Sequence, residues 1–276
     1  MTWLISGDTH GVRGVDNRLS RIQDIHGEAS LGGRALIILG DAGLNFYLNG
    51  SERNAKKKLA YFNTYIYCVR GNHEERPENL GYEIVYDENV KGKVYIDRDN
   101  TLIRYFLDGG EYVINGFKVL AIGGAYSIDK YYRIERAAAL GQSFTGWFEG
   151  EQLTEDERAI IAERVTGKHF DFVLTHTCPL SWEPRDLFLN GIDQSAVDKS
   201  METWFDWLKD NITWGHWCFG HYHVDRIERP RVEMFFNDYE SIDTIAERWT
   251  NYDVTGELDW WINLGPNFRQ ELIENE

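Results

Sequence analysis

Five short strings, each at the end of an apolar run, carry residue types that bind hard metal ions. They are Gly7-Asp8-Thr9-His10, Gly40-Asp41, Gly71-Asn72-His73-Glu74, Thr175-His176 and Gly220-His221-Tyr222-His223. Singly each is weak, because an Asp beside a Gly is a common turn and a lone core His is usually just hydrogen-bonded. In this order they supply enough oxygen and nitrogen donors for two divalent cations held side by side, a device suited to hydrolysing phosphate esters. Asp8 and His10 are two residues apart, as are His221 and His223. In extended backbone, residues i and i+2 point the same way, so each pair is expected to serve one ion. Asp41 can bridge through its two oxygens, Asn72 offers a neutral carbonyl oxygen, and His176 completes the set.

These donors are hard or borderline and include no thiolate, which suits Mn²⁺, Fe, Zn²⁺, Ni²⁺ or Mg²⁺. Two divalent ions against the carboxylates of Asp8 and Asp41 leave net positive charge. That charge attracts a phosphate dianion, and the ions make hydroxide from a bridging water at neutral pH. His73, directly after Asn72, is placed to protonate a leaving alkoxide or to stabilise charge on the phosphoryl group.

The elements that must position these residues read as strand–helix–strand–helix–strand: Trp3–Ser6, Val15–Glu28, Ala35–Leu39, Ser51–Tyr65 and Tyr65–Val69. That order implies parallel strands joined by right-handed crossovers. Asp8, Asp41 and Asn72 each follow a strand at intervals of 33 and 31 residues, about one βαβ unit. Parallel neighbours end on one edge, where open α/β sheets bind ligands. The 51–65 helix presents Ala55, Leu59 and Phe62, with Lys56–Lys58 expected as a solvated face.

Residues 77–110 read as less regular. A hairpin turning at Asn115-Gly116 is expected over Glu111–Ile122, helices over Tyr131–Leu140 and Met201–Asn211, and a capping box at Thr154–Glu157 opens a helix to about Val165. Strands are expected at Phe170–Leu174 and Trp217–Phe219, and a second hairpin over Val224–Phe236. Segment 238–259, with seven acidic residues against Arg248 alone, reads as a solvated excursion. Trp182, Trp204, Trp207, Trp214 and Trp217 suggest a cap-like insertion at about 180–215. An apolar cap core or subunit contact is favoured there over a lid that stacks a nucleobase. His26, His169 and His216 read as ordinary core histidines.

The 276 residues are expected to form a single domain, and a hydrophobic content of 42% is ample for a core. A net charge of −16 argues against binding long nucleic acid and is compatible with a small phosphorylated substrate drawn by bound cations. Cys68, Cys178 and Cys218 follow no disulfide or zinc-ribbon spacing and read as small buried residues. With no targeting segment or membrane-length apolar run, the cytoplasm is the expected compartment.

As an ordered set, the five strings resemble the motifs DxH, GD, GNH[DE], H and GHxH of the calcineurin-like metallophosphoesterase superfamily. The resemblance spans residues 8 to 223. It implies a four-layer αββα sandwich with a dinuclear metal site at the C-terminal edge of the central strands. Carried over residue by residue, one ion takes Asp8, His10, Asp41 and His223, the other takes Asp41, Asn72, His176 and His221, and His73 is the catalytic histidine. Gly123-Gly124-Ala125-Tyr126-Ser127, followed by Asp129 and Arg133, is similar to a segment of bacterial and phage-type members. It makes Arg133 (or Arg136) a candidate phosphate contact and Tyr126 a candidate pocket wall.

Protein Ser/Thr phosphatases of the superfamily carry a phosphate-holding Arg shortly after the bridging Asp, whereas here Ala42-Gly43-Leu44-Asn45 follow Asp41. Arg70, before Gly71, is similar to those phosphatases but decides little alone. The expected activity is therefore hydrolysis of a small-molecule phosphomonoester or phosphodiester, with nucleotides and cyclic nucleotides among the candidates. Protein phosphatase activity and a non-catalytic scaffold are the alternatives.

Overall fold

A computed structural model describes residues 1–26, 33–188 and 194–255. In chain order its elements are β1 (Thr2–Ser6), α1 (Val12–His26), β2 (Arg34–Leu39), α2 (Gly50–Lys58), β3 (Tyr65–Val69), β4 (Glu83–Asp87), β5 (Gly92–Ile96), β6 (Ile103–Phe106), β7 (Gly110–Ile114) and β8 (Phe117–Ile122). Then follow α3 (Lys130–Ala139), α4 (Glu155–Val165), β9 (His169–Thr175), α5 (Ser200–Asn211), β10 (Thr213–Phe219), β11 (Arg226–Arg229), β12 (Val232–Met234), β13 (Tyr239–Ser241) and α6 (Ile242–Thr255).

The strands form two sheets. One runs β13-β1-β2-β3-β6-β5-β4 and the other β11-β12-β10-β9-β8-β7. β1, β2 and β3 are parallel neighbours, as are β8, β9 and β10. Alternation along the central strands sorts their side chains between two cores. Trp3, Ile5, Ile37, Leu39 and Tyr67 meet Val119, Phe172, Leu174 and Cys218 between the sheets. Leu4, Leu36, Ile38, Ile66 and Cys68 face outward onto Val15, Leu19 and Ile22 of α1. Val173, Trp217 and Phe219 face the opposite way onto Ile161 of α4 and Phe205 of α5. The result is the αββα sandwich, and strands buried on both faces explain the unbroken apolar runs.

Several expectations need correction. The helix assigned to 51–65 ends at Lys58 and tightens into a 3₁₀ turn over Leu59–Phe62, followed by Asn63 in the left-handed region. Lys56 is not solvated: its ammonium is buried against Asp97 at 2.6 Å, with Asn45 at 3.1 Å and the Tyr82 hydroxyl at 3.0 Å. Residues 77–110 supply three strands, β4 to β6, that extend the first sheet. Their short lengths and mixed polarity hide them from a periodicity reading.

Segment 238–259 is no solvated excursion over its described part. β13 pairs antiparallel with β1, and Ile242, Ile245 and Trp249 of α6 enter the core between the sheets. Asp243 and Glu247 of α6 lie outside this core, and Arg248 bonds Glu233 of β12 and Glu240 of β13. The 115–116 turn, the Thr154 capping box and the second hairpin stand where expected. His169 is exposed, His216 is buried and stacks on Phe172, and the side chain of His26 lies outside the described residues. No helix among the described residues is long and apolar enough to cross a membrane.

Within 180–215, Trp182 packs edge-on against both Trp214 and Trp217, with centroids 5.3 Å apart in each pair. Trp182 and Trp217 are buried in the core beneath α5, so their faces are not available to a ligand. Trp207 is exposed on α5, and residues 189–193 lie outside the described part.

Candidate metal centre

The five strings converge at one edge because each follows the C-terminal end of a parallel strand. Asp8 follows β1, Asp41 follows β2, Asn72 follows β3, His176 follows β9 and His221 follows β10. Two glycines permit the approach. A Cβ on Gly71 would lie 2.0 Å from Asp41 Oδ1, and one on Gly220 would lie 2.4 Å from Asp8 Oδ1.

The loops are strained where they carry these residues. His10, Asp41, His221 and His223 have φ of 51°, 45°, 71° and 58°, a region non-glycine residues enter at a cost and often at functional sites. The extended-backbone argument for the i, i+2 pairs therefore fails for His221 and His223, which part company. His221 faces His176, with ring centroids 4.9 Å apart. His223 faces His10, with their Nε2 atoms 2.8 Å apart.

Two donor groups result. In one, ligand atoms of Asp8, His10 and His223 lie within 4.8 Å of one another, and in the other so do those of Asp8, Asp41 and His176. Asp41 spans them: its Oδ2 is 3.9 Å from His10 Nδ1 and its Oδ1 is 3.6 Å from His176 Nε2. Asp8 shares this central position. Asp8, Asp41, Asn72 and His176 are buried, whereas the side chains of His10 and His223 are 38% and 49% exposed. The centre thus has a closed floor and an open side.

Backbone amides fix both carboxylates. His221 N–H donates to Asp8 Oδ1 at 3.0 Å and His73 N–H to Asp41 Oδ1 at 2.8 Å. Burial pushes the Asp8 carboxyl upward, but His223 and His176 more than offset it and hold it below its ordinary value. Asp41 likewise is raised by burial and lowered further by His176 and His73, with a net depression. Burial and the neighbouring His176 push the His221 imidazole well down. Hydrogen bonding to Asp8 pulls His223 up.

The residues present fit a pair of cations. His176 Nδ1 lies 2.8 Å from the Leu39 carbonyl, an acceptor, so Nδ1 is the donor there, and in the neutral form that a metal ligand takes Nε2 is left as a lone pair. That Nε2 faces Asn72 Oδ1 at 2.8 Å, while the Asn72 amide nitrogen donates to Ser127 Oγ at 2.8 Å. Two lone pairs meet, and a positive ion resolves the conflict. Asp8 Oδ2 is also buried, with His223 Nε2 3.3 Å away as its ion-pair partner. Histidine oriented by a backbone carbonyl is the usual outer support of a metal ligand.

His73 stands beside the donors, its Nε2 3.9 Å from Asp41 Oδ2 and 3.5 Å from Arg133 Nη2. Burial is the main reason its imidazole lies below its ordinary value; Asp41 opposes this and Arg133 adds to it. Arg133 is braced by Asp129 at 2.7 Å and the Gly146 carbonyl at 3.0 Å. Arg136 is exposed on α3. Tyr126 is buried next to Ser127, with Lys130 over its ring.

Arg70 turns away from the donors, donating to the Gly150 and Glu151 carbonyls and pairing with Asp108. The buried Cys178 thiol contacts the Tyr222 hydroxyl. Sequence reasoning placed Ser127 and Glu74 inside the quoted strings but gave neither a role. Glu74 accepts from Gly71 N–H and the Tyr105 hydroxyl, shaping the loop that carries Asn72 and His73. Ser127's place just beyond β8, on the same edge as the strings, was the available signal for it.

A model of the family described as calcineurin-like phosphoesterase matches residues 1–225. Among the curated proteins, none matches. Among solved structures, that of a phosphopantetheinyl hydrolase from Mycobacterium tuberculosis is similar at 13% sequence identity, covering 96% of this chain and 96% of that chain with a TM-score of 0.39.

Proposed function

The chain belongs to the calcineurin-like phosphoesterase family and is a metal-dependent phosphoester hydrolase; from that premise we propose that it cleaves phosphomonoesters or phosphodiesters of small molecules at a two-cation centre. The carrying observation is the position of Asp41 between the His10 side and the His176 side of the donor cluster.

Asp8, His10, Asp41 and His223 would hold one ion, and Asp41, Asn72, His176 and His221 would hold the other. Bound there, two divalent cations supply Lewis-acid charge to phosphate oxygens and a nucleophile from water at neutral pH. Nitrogen and oxygen donors without thiolate suit Mn²⁺, Fe, Zn²⁺, Ni²⁺ or Mg²⁺.

The chain's own groups handle the rest. Arg133, fixed by Asp129 and Gly146, binds a phosphate oxygen and orients the ester. A phosphate dianion beside His73 raises that ring's affinity for a proton. His73 then protonates the departing oxygen or stabilises charge on the phosphoryl group. The open side at His10 and His223 admits the substrate, and the net charge of −16 disfavours long polyanions. Arg70's commitment to carbonyls and Asp108, with no Arg after Asp41, weighs against a protein phosphatase.

The test is a screen of phosphate mono- and diesters with metal-stripped protein resupplied with Mn²⁺, Ni²⁺, Zn²⁺ or Mg²⁺. Metal-dependent turnover of small esters well above that of a phosphopeptide is expected. Failure of every metal to support hydrolysis would overturn the reading.

A further inference from the structure

Beside the phosphate-handling groups, the mouth of the site carries aromatic rings. Arg133 reaches His73 through one guanidinium nitrogen and the Gly146 carbonyl through another. A side chain built at Gly146 would come within 3.4 Å of the Phe46 ring and 3.9 Å of Phe144. Phe46 meets Phe144 edge-on at 5.5 Å, and Tyr47 lies 6.4 Å from Phe144. Tyr47 is 62% exposed and Phe144 41%.

The loop that presents Phe46 and Tyr47 is not slack. The carboxylate of Glu52 accepts the backbone N–H groups of Phe46, Tyr47 and Leu48 at 3.0, 2.9 and 2.9 Å. The Asn45 carbonyl accepts Glu75 N–H at 2.9 Å, tying the loop to the string that holds His73. Leaving the Tyr47 ring in water on a clamped backbone, with Phe144 packed edge-on against Phe46 beside it, forgoes burial, but it pre-orders the exposed aromatic surface for a flat ligand and lowers the entropic cost of binding one.

We infer that the substrate's organic part carries a flat aromatic ring that stacks on Tyr47 and Phe144 while its phosphate meets Arg133. This rests on the phosphoesterase reading above. Base–aromatic stacking tolerates many ring types because every ring offers a π face, so Tyr47 and Phe144 are specificity determinants for aromatic esters as a class.

The experiment is calorimetric titration, with and without Mn²⁺, of the wild type and of a Tyr47→Ala, Phe144→Ala double variant. The ligands are AMP, phenyl phosphate, ribose 5-phosphate and octyl phosphate. AMP and phenyl phosphate should bind the wild type about tenfold more tightly than ribose 5-phosphate, in line with stacking at one ring, and that ratio should fall toward one in the variant. The AMP-to-phenyl phosphate ratio separates a nucleobase from a simple arene.

Equal affinities in the wild type, a ratio that survives the double substitution, or octyl phosphate binding as tightly as the aromatic esters would overturn the inference. Should the variant fail to fold, the wild-type comparison of the four ligands decides alone. Loss of the parent reading would look different: no ester hydrolysed with any metal, yet a ring-dependent binding ratio intact.

Discussion

Nε2 of His176 lies 2.8 Å from the amide oxygen of Asn72, and in the neutral form that metal binding requires, with Nδ1 donating to the Leu39 carbonyl, the two meet acceptor to acceptor. An arrangement that is repulsive without a cation becomes favourable around one. Divalent metal should therefore stabilise the native chain, by about 2.7 kcal/mol at a hundredfold excess over Kd. Thermal melts with Mn²⁺ and with EDTA check this; coincident curves would count against the ligand set.

His73 touches the donor cluster without being assigned to either ion. Replacing it with Ala should lower kcat by roughly a hundred- to ten-thousandfold, the range for a general acid, while metal content measured by atomic emission stays at the wild-type level. Undiminished turnover would remove His73 from the chemistry.

Arg133 is braced against His73, while Arg136 is exposed three residues on. Arg133→Ala should reduce kcat/KM by about tenfold, the scale of a charged hydrogen bond, and Arg136→Ala should leave it near wild type. Equal effects in steady-state kinetics would show that neither has a special place.

Protons compete with metal at His223, whose imidazole is pulled above its ordinary value of 6.5 by hydrogen bonding to Asp8. A ligand imidazole must be neutral, so acidification through that raised value should weaken metal uptake. Mn²⁺ titrations at pH 8 and pH 6 should show weaker binding at the lower pH, and flat affinity would contradict this.

Burial, chiefly, pushes the Glu74 carboxyl from 4.5 to about 8. Between those values the unfolded chain has lost this proton and the native chain keeps it. Raising the pH across that window therefore destabilises the fold. Denaturant melts of the metal-free protein should show the wild type losing stability relative to Glu74→Gln as pH rises from 4.5 to 8. A constant difference would mean that Glu74 does not titrate in this way.

The donor set was legible because each ligand sits at the end of a strand whose apolar run is unmistakable, and β1, β2, β3, β9 and β10 stand where those runs predicted. Lys56 was not legible. In sequence it is one of three adjacent lysines, and only the arrival of Asp97 from forty-one residues away makes its burial tolerable. The strands of 77–110 were hidden for a related reason: β4 is exposed over most of its length and β5 mixes buried, half-buried and exposed positions, so no long apolar run marks them. α6 was misread because its acidic residues outnumber its basic ones, although Ile242, Ile245 and Trp249 share one face of it.

The sequence by itself determined the chemical inventory: which residues can ligate, their order, and the strand ends that bring them to one edge. Those follow from residue type and period, which are local. The tertiary structure decided how the inventory is divided. Left-handed backbone at His221 and His223 sends these two neighbouring histidines to different partners, and distant segments place Arg133 of α3, Ser127 and the Tyr47–Phe144 pair around the centre. Such assignments depend on which loops pack together, a balance of long-range contacts that no single stretch of chain contains.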